Sequence, residues 1–276
     1  MSALLAQAAR QGIAPFDAQL LLARATGWSR ALLIAHDERT VTPDAAARFA
    51  ADCLRRADDE PLAYIEGHKE FWSLDLRVTR DTLVPRPETE LLVERMLALL
   101  PAAARRVADL GTGSGAIALA LAHERPAWSI TAVDASPAAL DIARLNAQRL
   151  GLRNVDFHLG SWCTPLAGPA FDAIASNPPY VAPDDAALLS LRHEPLSALA
   201  APDDGYADLL AIADQARSRL CPGGWLLLEH GATQDARLAA ELVARGYARV
   251  VCHPDLAGLP RVTVAQWPGT HSPTLL

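Results

Sequence analysis

From Arg106 onward this 276-residue chain alternates short apolar runs with helix-forming runs, and nothing else in it limits the fold as strongly. Strands are predicted at Val107–Leu110, Ile130–Asp134, Val155–Leu159, Phe171–Ser176, Trp225–His230, Ala248–His253 and Val262–Trp267. Helices are predicted between them at Ala116–Glu124, Pro137–Leu150, Asp208–Leu220 and Gln234–Arg245. Such a repeat builds an α/β fold, a mostly parallel sheet with helices on both faces, because each crossover must pack back onto the sheet. Pro222-Gly223-Gly224 reads as the turn into the fifth strand. The last two strands are joined only through Pro254–Arg261, so they are expected to pair antiparallel at the sheet edge.

The region before Arg106 has a different character. Residues 1–65 read as helices only, with Gly27 as a stop and Thr42-Pro43-Asp44 as a strong start: N-cap, first-turn proline, acid in the first turn. Short helices bury their apolar faces only by packing together, so a small bundle is expected there. Residues 66–84 include the alternating run Phe71–Val78 and read as a hairpin or extended linker. Pro85 and Pro87 lead into a helix at Glu88–Leu100, and the second domain is placed at 85–276.

At 51% hydrophobic residues the chain can bury a sizeable core. Its net charge of −7 and pI near 5.6 argue against a general nucleic-acid binder, which needs clustered basic surface. Through Arg80 there are 10 basic and 11 acidic residues; the remainder holds 15 and 21, so the acidic excess lies in the α/β part. Cys53, Cys163, Cys221 and Cys252 are scattered, which fits buried reduced thiols, and no His/Cys grouping has metal spacing, so no metal is expected. Arg10 arrives before a signal-peptide core can form, and the longest apolar run, Ala116–Ala122, is well short of the roughly 20 residues of a membrane span. A cytoplasmic, monomeric protein without a membrane anchor is expected.

Two loops carry the chemistry. Asp109-Leu110-Gly111-Thr112-Gly113-Ser114-Gly115-Ala116 joins the first strand to its helix, where glycines permit a sharp turn and close approach of a ligand. Asp134 ends the second strand, where a carboxylate can take both hydroxyls of a ribose. These features suit a nucleoside cofactor without distinguishing a dinucleotide from S-adenosylmethionine. The second loop, Asn177-Pro178-Pro179-Tyr180, follows the fourth strand. Two prolines remove two N–H donors and stiffen the chain, so the loop offers carbonyls, with the Asn oxygen beside them and the Tyr ring as an apolar face. That combination suits a planar –NH2 group. Ligands of open α/β sheets bind where the strand order reverses, between the first and fourth strands here, so both loops are expected over one crevice.

The chain resembles the PrmC/HemK protein-(glutamine-N5) methyltransferases. The likeness runs through Pro61–Gly67, Glu70-Phe71-Trp72, Leu83-Val84-Pro85-Arg86-Pro87-Glu88-Thr89-Glu90, Asp109–Leu121, Asn177–Tyr180, Glu194-Pro195, Asp204-Gly205 and Leu228–Gly231. It implies a seven-stranded Rossmann-like class I S-adenosylmethionine-dependent methyltransferase domain behind an N-terminal bundle that docks the substrate. The implied reaction moves a methyl group to the side-chain nitrogen of the glutamine in the Gly-Gly-Gln motif of class I peptide-chain release factors, leaving S-adenosylhomocysteine. Gly111, Thr112, Gly113, Ser114 and Gly115 would line the cofactor, Asp134 would hold its ribose, Trp162 would lie by the adenine and Asn177 near the methionine end. Asn177, Pro178, Pro179 and Tyr180 would bind the glutamine, with Asn177, Pro178 and Tyr180 acting in the transfer. Relatives usually have Gly-Asp-Trp where this chain has Gly160-Ser161-Trp162, which removes a carboxylate from the adenine region.

Three other readings compete. An adenine-N6 DNA methyltransferase would use the same Asn-Pro-Pro-Tyr loop but needs a basic DNA-facing surface. An NAD-dependent oxidoreductase leaves that loop without a task, and a non-catalytic release-factor or ribosome binding module leaves the cofactor loop without one. His193-Glu194 and Glu229-His230 look like acid/base pairs; both are expected to be structural. Arg86, between prolines, is expected to make a linker or helix-start contact, with the cofactor pocket as its alternative.

Overall fold

The computed structural model describes residues 1–36, 38–168 and 170–269, and the chain divides into two compact units, Met1–His68 and Lys69–Leu276. Among its described residues the first unit holds five helices: α1 (Ser2–Arg10), α2 (Pro15–Thr26), α3 (Arg30–Ala35), α4 (Pro43–Ala57) and α5 (Leu62–Glu66). Thr42 caps α4 through the Ala45 N–H, with Pro43 in the first turn, as its sequence requires. Leu21, Leu22, Leu33, Phe49 and Ile65 form the core of this bundle. Asp52 is buried within it and is neutralised by Arg24 at 2.6 Å and Arg55 at 3.7 Å.

A hairpin of β1 (His68–Phe71) and β2 (Leu74–Arg77) follows, all but its first residue in the second unit. Its two-residue turn places Trp72 and Ser73 at φ +52° and +59°, a conformation normally left to Gly or Asn. Carboxylates hold it: Glu90 accepts from the Trp72 N–H and Glu70 from the Ser73 N–H. A 3₁₀ turn (Pro87–Thr89), α6 (Glu90–Leu99), β3 (Arg106–Leu110), α7 (Ala116–Glu124), β4 (Ser129–Asp134), α8 (Pro137–Leu150), β5 (Val155–Leu159) and β6 (Phe171–Ser176) follow. Then come α9 (Ala187–Ser190), a second 3₁₀ turn (Leu196–Ala198), α10 (Ala207–Ala216), β7 (Leu220–Glu229), α11 (Asp235–Ala244), β8 (Ala248–Pro254) and β9 (Pro260–Gln266).

The sheet order is β5-β4-β3-β6-β7-β9-β8. The first five strands run parallel, and β9 runs antiparallel to both β7 and β8. The short 254–261 link thus makes the expected hairpin, with β8 at the edge. Alternation along the strands separates two cores: Val107, Ile130, Ala173 and Leu227 face α6 and α7, whereas Leu110, Val133, Ile174 and Leu228 face α10 and α11.

Several boundaries shift for physical reasons. The first turn of the 88–100 helix is 3₁₀, opening on Pro87. The helix expected to reach Leu220 stops at Ala216, because Leu220 already pairs with Phe171. Pro222-Gly223-Gly224 is not a turn before β7 but an irregularity inside it, where the register jumps from Phe171↔Leu220 to Ala173↔Trp225. Of the cysteines, Cys53 and Cys163 are buried; Cys221 and Cys252 are only half-buried.

The hairpin is fastened to the sheet domain by one fully buried residue. Asn146 of α8 accepts from the Arg77 N–H at 2.7 Å and donates to the carbonyls of Arg77 and Ser114 at 3.0 and 2.9 Å. It thereby ties β2 to the glycine loop. Replacing it strands three backbone groups, so Asn146→Ala is expected to lose about 3 kcal/mol of stability, measured by urea unfolding.

Candidate active site

β3 and β6 are neighbours, and their carboxyl ends open onto one cavity of about 590 Å³, within the usual size range of small-molecule sites. The Ser176 hydroxyl donates to the Leu110 carbonyl at 2.7 Å and locks the two strand ends together. Gly111, Thr112, Gly113 and Ser114 line one side, Asp134, Ala135 and Ser136 the next, and Gly160, Ser161 and Trp162 a third. Asn177 and Pro179 close the wall after β6.

The glycine loop hooks over β4. The N–H groups of Gly111 and Thr112 both donate to the Val133 carbonyl, that of Gly113 to Asp134 Oδ2, and that of Gly115 to the Thr112 carbonyl. A side chain at Gly111, which has φ +72°, would meet the Trp162 ring at 3.3 Å. At Gly113 a Cβ would meet nothing within 4 Å, so the backbone there stands open to a ligand. Gly115 is not on the cavity wall; it starts α7, and its Cβ would strike Leu119 at 2.9 Å. Because most of the loop's N–H groups are committed inside the protein, it offers no fan of donors for a pyrophosphate. That disfavours the dinucleotide reading and suits an uncharged or cationic nucleoside.

Two carboxylates organise this half. Asp134 accepts from the N–H groups of Gly113 and Ser136, each at 2.8 Å, while burial raises its pKa. Its remaining lone pairs can take ribose hydroxyls. Asp109 is fully buried beneath the loop, accepting from the Thr112 hydroxyl at 2.6 Å and the Ala118 N–H at 3.1 Å, and among the described residues its Oδ1 has no hydrogen-bond partner. Burial pushes its pKa to about 7, against the pull of Thr112 and Ala118 and with a further push from the charge of Asp134.

In the second half, Asn177 Nδ2 donates to Thr89 Oγ1 at 3.2 Å, which leaves Oδ1 as the acceptor. Pro178 is buried behind the wall, and among the described residues no hydrogen bond to its carbonyl forms. Tyr180 is turned inward rather than towards the cavity: it packs on the α10/α11 core, and its hydroxyl donates to Glu229 at 3.4 Å. The Tyr180 carbonyl accepts from Gln234 Nε2 at 3.1 Å. A Cβ on Gly205 would come within 2.0 Å of that carbonyl, so only glycine lets the 204–205 turn pass here.

Sequence reading missed several wall residues. Thr89 belongs to a stretch read as a helix start, yet it lines the cavity, and so does Arg86, for which the pocket is only the alternative expectation. Arg86 is ion-paired with the buried Glu194, which also accepts from the Val84 N–H at 3.0 Å, so Glu194 clamps the 84–86 wall. Asp208 reaches the wall from the first turn of α10 and faces the Trp162 indole N–H. No spacing rule connects these positions to Asn177; only their packing does.

Residues 1–67 match the PrmC N-terminal domain family and residues 87–194 the methyltransferase small domain family. The chain is 48% identical to the release factor glutamine methyltransferase of Coxiella burnetii (strain RSA 493 / Nine Mile phase I) over 91% of each chain. It is 49% identical to that of Pseudomonas aeruginosa PAO1, covering 92% of this chain and 93% of the relative. The chain belongs to the release factor glutamine methyltransferase family. A methyltransferase structure from Pyrococcus furiosus superposes with a TM-score of 0.56 at 18% identity, over 80% of this chain and 100% of that one, which places the fold among methyltransferases.

Asp109 gives the site a measurable pH signature. Its folded pKa lies above its unfolded value, so its contribution favours the fold at low pH and is lost as pH rises towards and through about 7. Asp109→Asn keeps an acceptor for Thr112 and Ala118 and removes the titration. Urea unfolding at about pH 5 and pH 8 is expected to show a smaller decline in stability for the variant than for the wild type.

Proposed function

We propose that this enzyme methylates the side-chain nitrogen of the glutamine in the Gly-Gly-Gln motif of class I release factors, in the cytoplasm, with S-adenosylmethionine bound at the glycine loop. The observation that carries this reading is the placement of Asn177. It stands on the cavity wall directly after β6, beside the glycine loop, with its amide nitrogen occupied by Thr89 and its oxygen left to accept. Release factor glutamine is the substrate printed in the names of the curated relatives.

Bound S-adenosylmethionine supplies an electrophilic sulfonium methyl group and leaves as S-adenosylhomocysteine. Asp134 would hold its ribose, and Gly111–Ser114 with Trp162 would shape the remainder of the cradle. An amide nitrogen is a poor nucleophile because its lone pair is shared with the carbonyl. Asn177 Oδ1 accepts one of its hydrogens; Pro178, which the sequence offered as the second acceptor, stands behind the wall and stiffens the loop instead. This acceptor fixes the nitrogen and favours the positive charge that grows on it during transfer. The proton then leaves to water, so no strong base is required. Tyr180 supports this loop from behind, through Glu229 and the α10/α11 core.

The decisive assay uses labelled S-adenosylmethionine with a release factor carrying its Gly-Gly-Gln loop and, separately, with duplex DNA. Label is expected on the release factor glutamine alone; label on DNA, or on neither, overturns the reading. Asn177→Ala is expected to lower kcat by about 10²- to 10³-fold while the S-adenosylmethionine Kd stays within about tenfold. Asp134→Ala is expected to do the reverse, weakening cofactor binding by about 10- to 100-fold. Equilibrium binding and single-turnover rates separate the two effects.

A further inference from the structure

Behind the cavity wall stands a carboxylate that the methyl transfer does not use. Glu229 ends β7 and is 1% exposed. Its Oε1 accepts from the Tyr180 hydroxyl, the Thr89 hydroxyl lies close enough to stabilise its charge, and among the described residues Oε2 has no hydrogen-bond partner. Thr89 in turn accepts from Asn177 Nδ2. At the start of α6 a threonine hydroxyl ordinarily caps the helix, yet Thr89 makes no cap bond. Its hydroxyl accepts from Asn177 instead and lies beside the Glu229 carboxylate, whose Oε2 is left for its hydrogen to approach.

Hydrogen-bond polarity gives this chain a direction. A carboxylate only accepts, a threonine hydroxyl has one hydrogen to give, and an Asn amide can present either end. With Glu229 ionised, Thr89 donates to it and so must accept from Asn177. The Asn177 amide then turns its NH2 to Thr89 and keeps Oδ1 for the substrate. With Glu229 protonated, its own hydrogen can go to Thr89, and Thr89 can donate to Asn177. The amide is then free to turn over and present NH2 to the substrate's NH2, where no hydrogen bond is possible. We propose that Glu229, acting through Thr89, is the positioning residue that sets which end of the Asn177 amide meets the substrate nitrogen. The inference rests on the methyl-transfer reading above for what the oxygen is needed to do.

The charged and titratable groups around Glu229 are Glu88 from the 3₁₀ turn, Tyr180 from the loop after β6 and Arg261 from β9. On α6, which also packs on β7, Glu90 is turned to the Trp72 N–H. Burial raises the Glu229 carboxyl to about 7; Thr89, Arg261 and Tyr180 oppose the rise, and Glu88 adds to it. The working arrangement needs the ionised form, so turnover rises with pH through about 7. The stability contribution has the opposite sign, because a raised folded pKa favours the fold at low pH. A residue that acted only by holding the fold together would move activity and stability in the same direction.

The full-length chain tests this with ¹⁵N-labelled asparagine side chains, the Asn177 signal being assigned by its loss in Asn177→Ser. In the wild type and Thr89→Ser, the Asn177 amide signal is expected to shift between about pH 5.5 and 8.5 with a midpoint near 7. In Glu229→Gln and Thr89→Val that shift is expected to vanish. The same two variants are expected to lose about 10- to 100-fold in kcat with little change in KM for S-adenosylmethionine. Thr89→Ser is expected to recover most of the rate, and the Glu229→Gln/Thr89→Val double variant to be no worse than either single one. An Asn177 signal that still titrates near 7 without the Glu229 carboxyl overturns the proposal. So does a loss of rate that Thr89→Ser fails to recover. The amide titration is read without substrate, so a wild type that methylates no release factor overturns the proposed substrate and leaves this inference to be decided by the signal.

Discussion

The parallel pairing of β3 with β6 is the contact on which the site depends. β3, β4 and β5 are laid down in one direction across the sheet, and the chain then returns to place β6 on the other side of β3. At that reversal the two crossovers leave in opposite directions, and a crevice is left between the loops. The Val107↔Ala173 to Leu110↔Ser176 register ends both strands at the same height. The glycine loop and the Asn177 loop therefore meet over one cavity although 66 positions separate Leu110 from Ser176, whose hydroxyl locks the two ends.

Around that crevice the protein spends its buried polar groups on orientation. Asp109, Asp134, Asn146 and Glu229 are buried or half-buried, and each bonds to or faces a loop that borders the cavity. Of these, Asp109 and Glu229 each keep an oxygen without a hydrogen-bond partner among the described residues and have a pKa raised to about 7. Neither optimises stability; in both, burial costs more than the few hydrogen bonds return. Such groups are tolerated where they hold a neighbour in a defined arrangement, the glycine loop above Asp109 and the Asn177 amide beyond Thr89.

The residues on the cavity wall differ from those the loops alone would nominate. Gly111, Thr112, Gly113, Ser114, Asp134, Trp162, Asn177 and Pro179 line it, whereas Gly115, Pro178 and Tyr180 stand behind it. Gly115 is fitted against Leu119, and Tyr180 has a hydroxyl that seeks a partner when buried and finds Glu229. Arg86, Thr89 and Asp208 arrive from distant stretches through packing, and the order of residues along the chain carries no trace of their meeting. The hairpin turn at Trp72-Ser73 was equally hidden, because it lacks Gly and Asn and is held by Glu70 and Glu90.

Sequence by itself determined the class of fold, the order of its elements and the chemistry of its two principal loops. Those are local properties: hydrophobic period, helix starts, glycines where the chain turns sharply, prolines where donors must be absent. It also carried the family likeness, through motifs spread along nearly the whole chain. Tertiary structure alone decided which of the loop residues face the cavity and which face the core. It also decided which end of the Asn177 amide is left to accept, since that depends on Thr89, 88 positions away, and on a carboxylate beyond it. Side-chain direction is settled by the partners a fold brings within about 3 Å, and such partners are neighbours in space rather than in sequence.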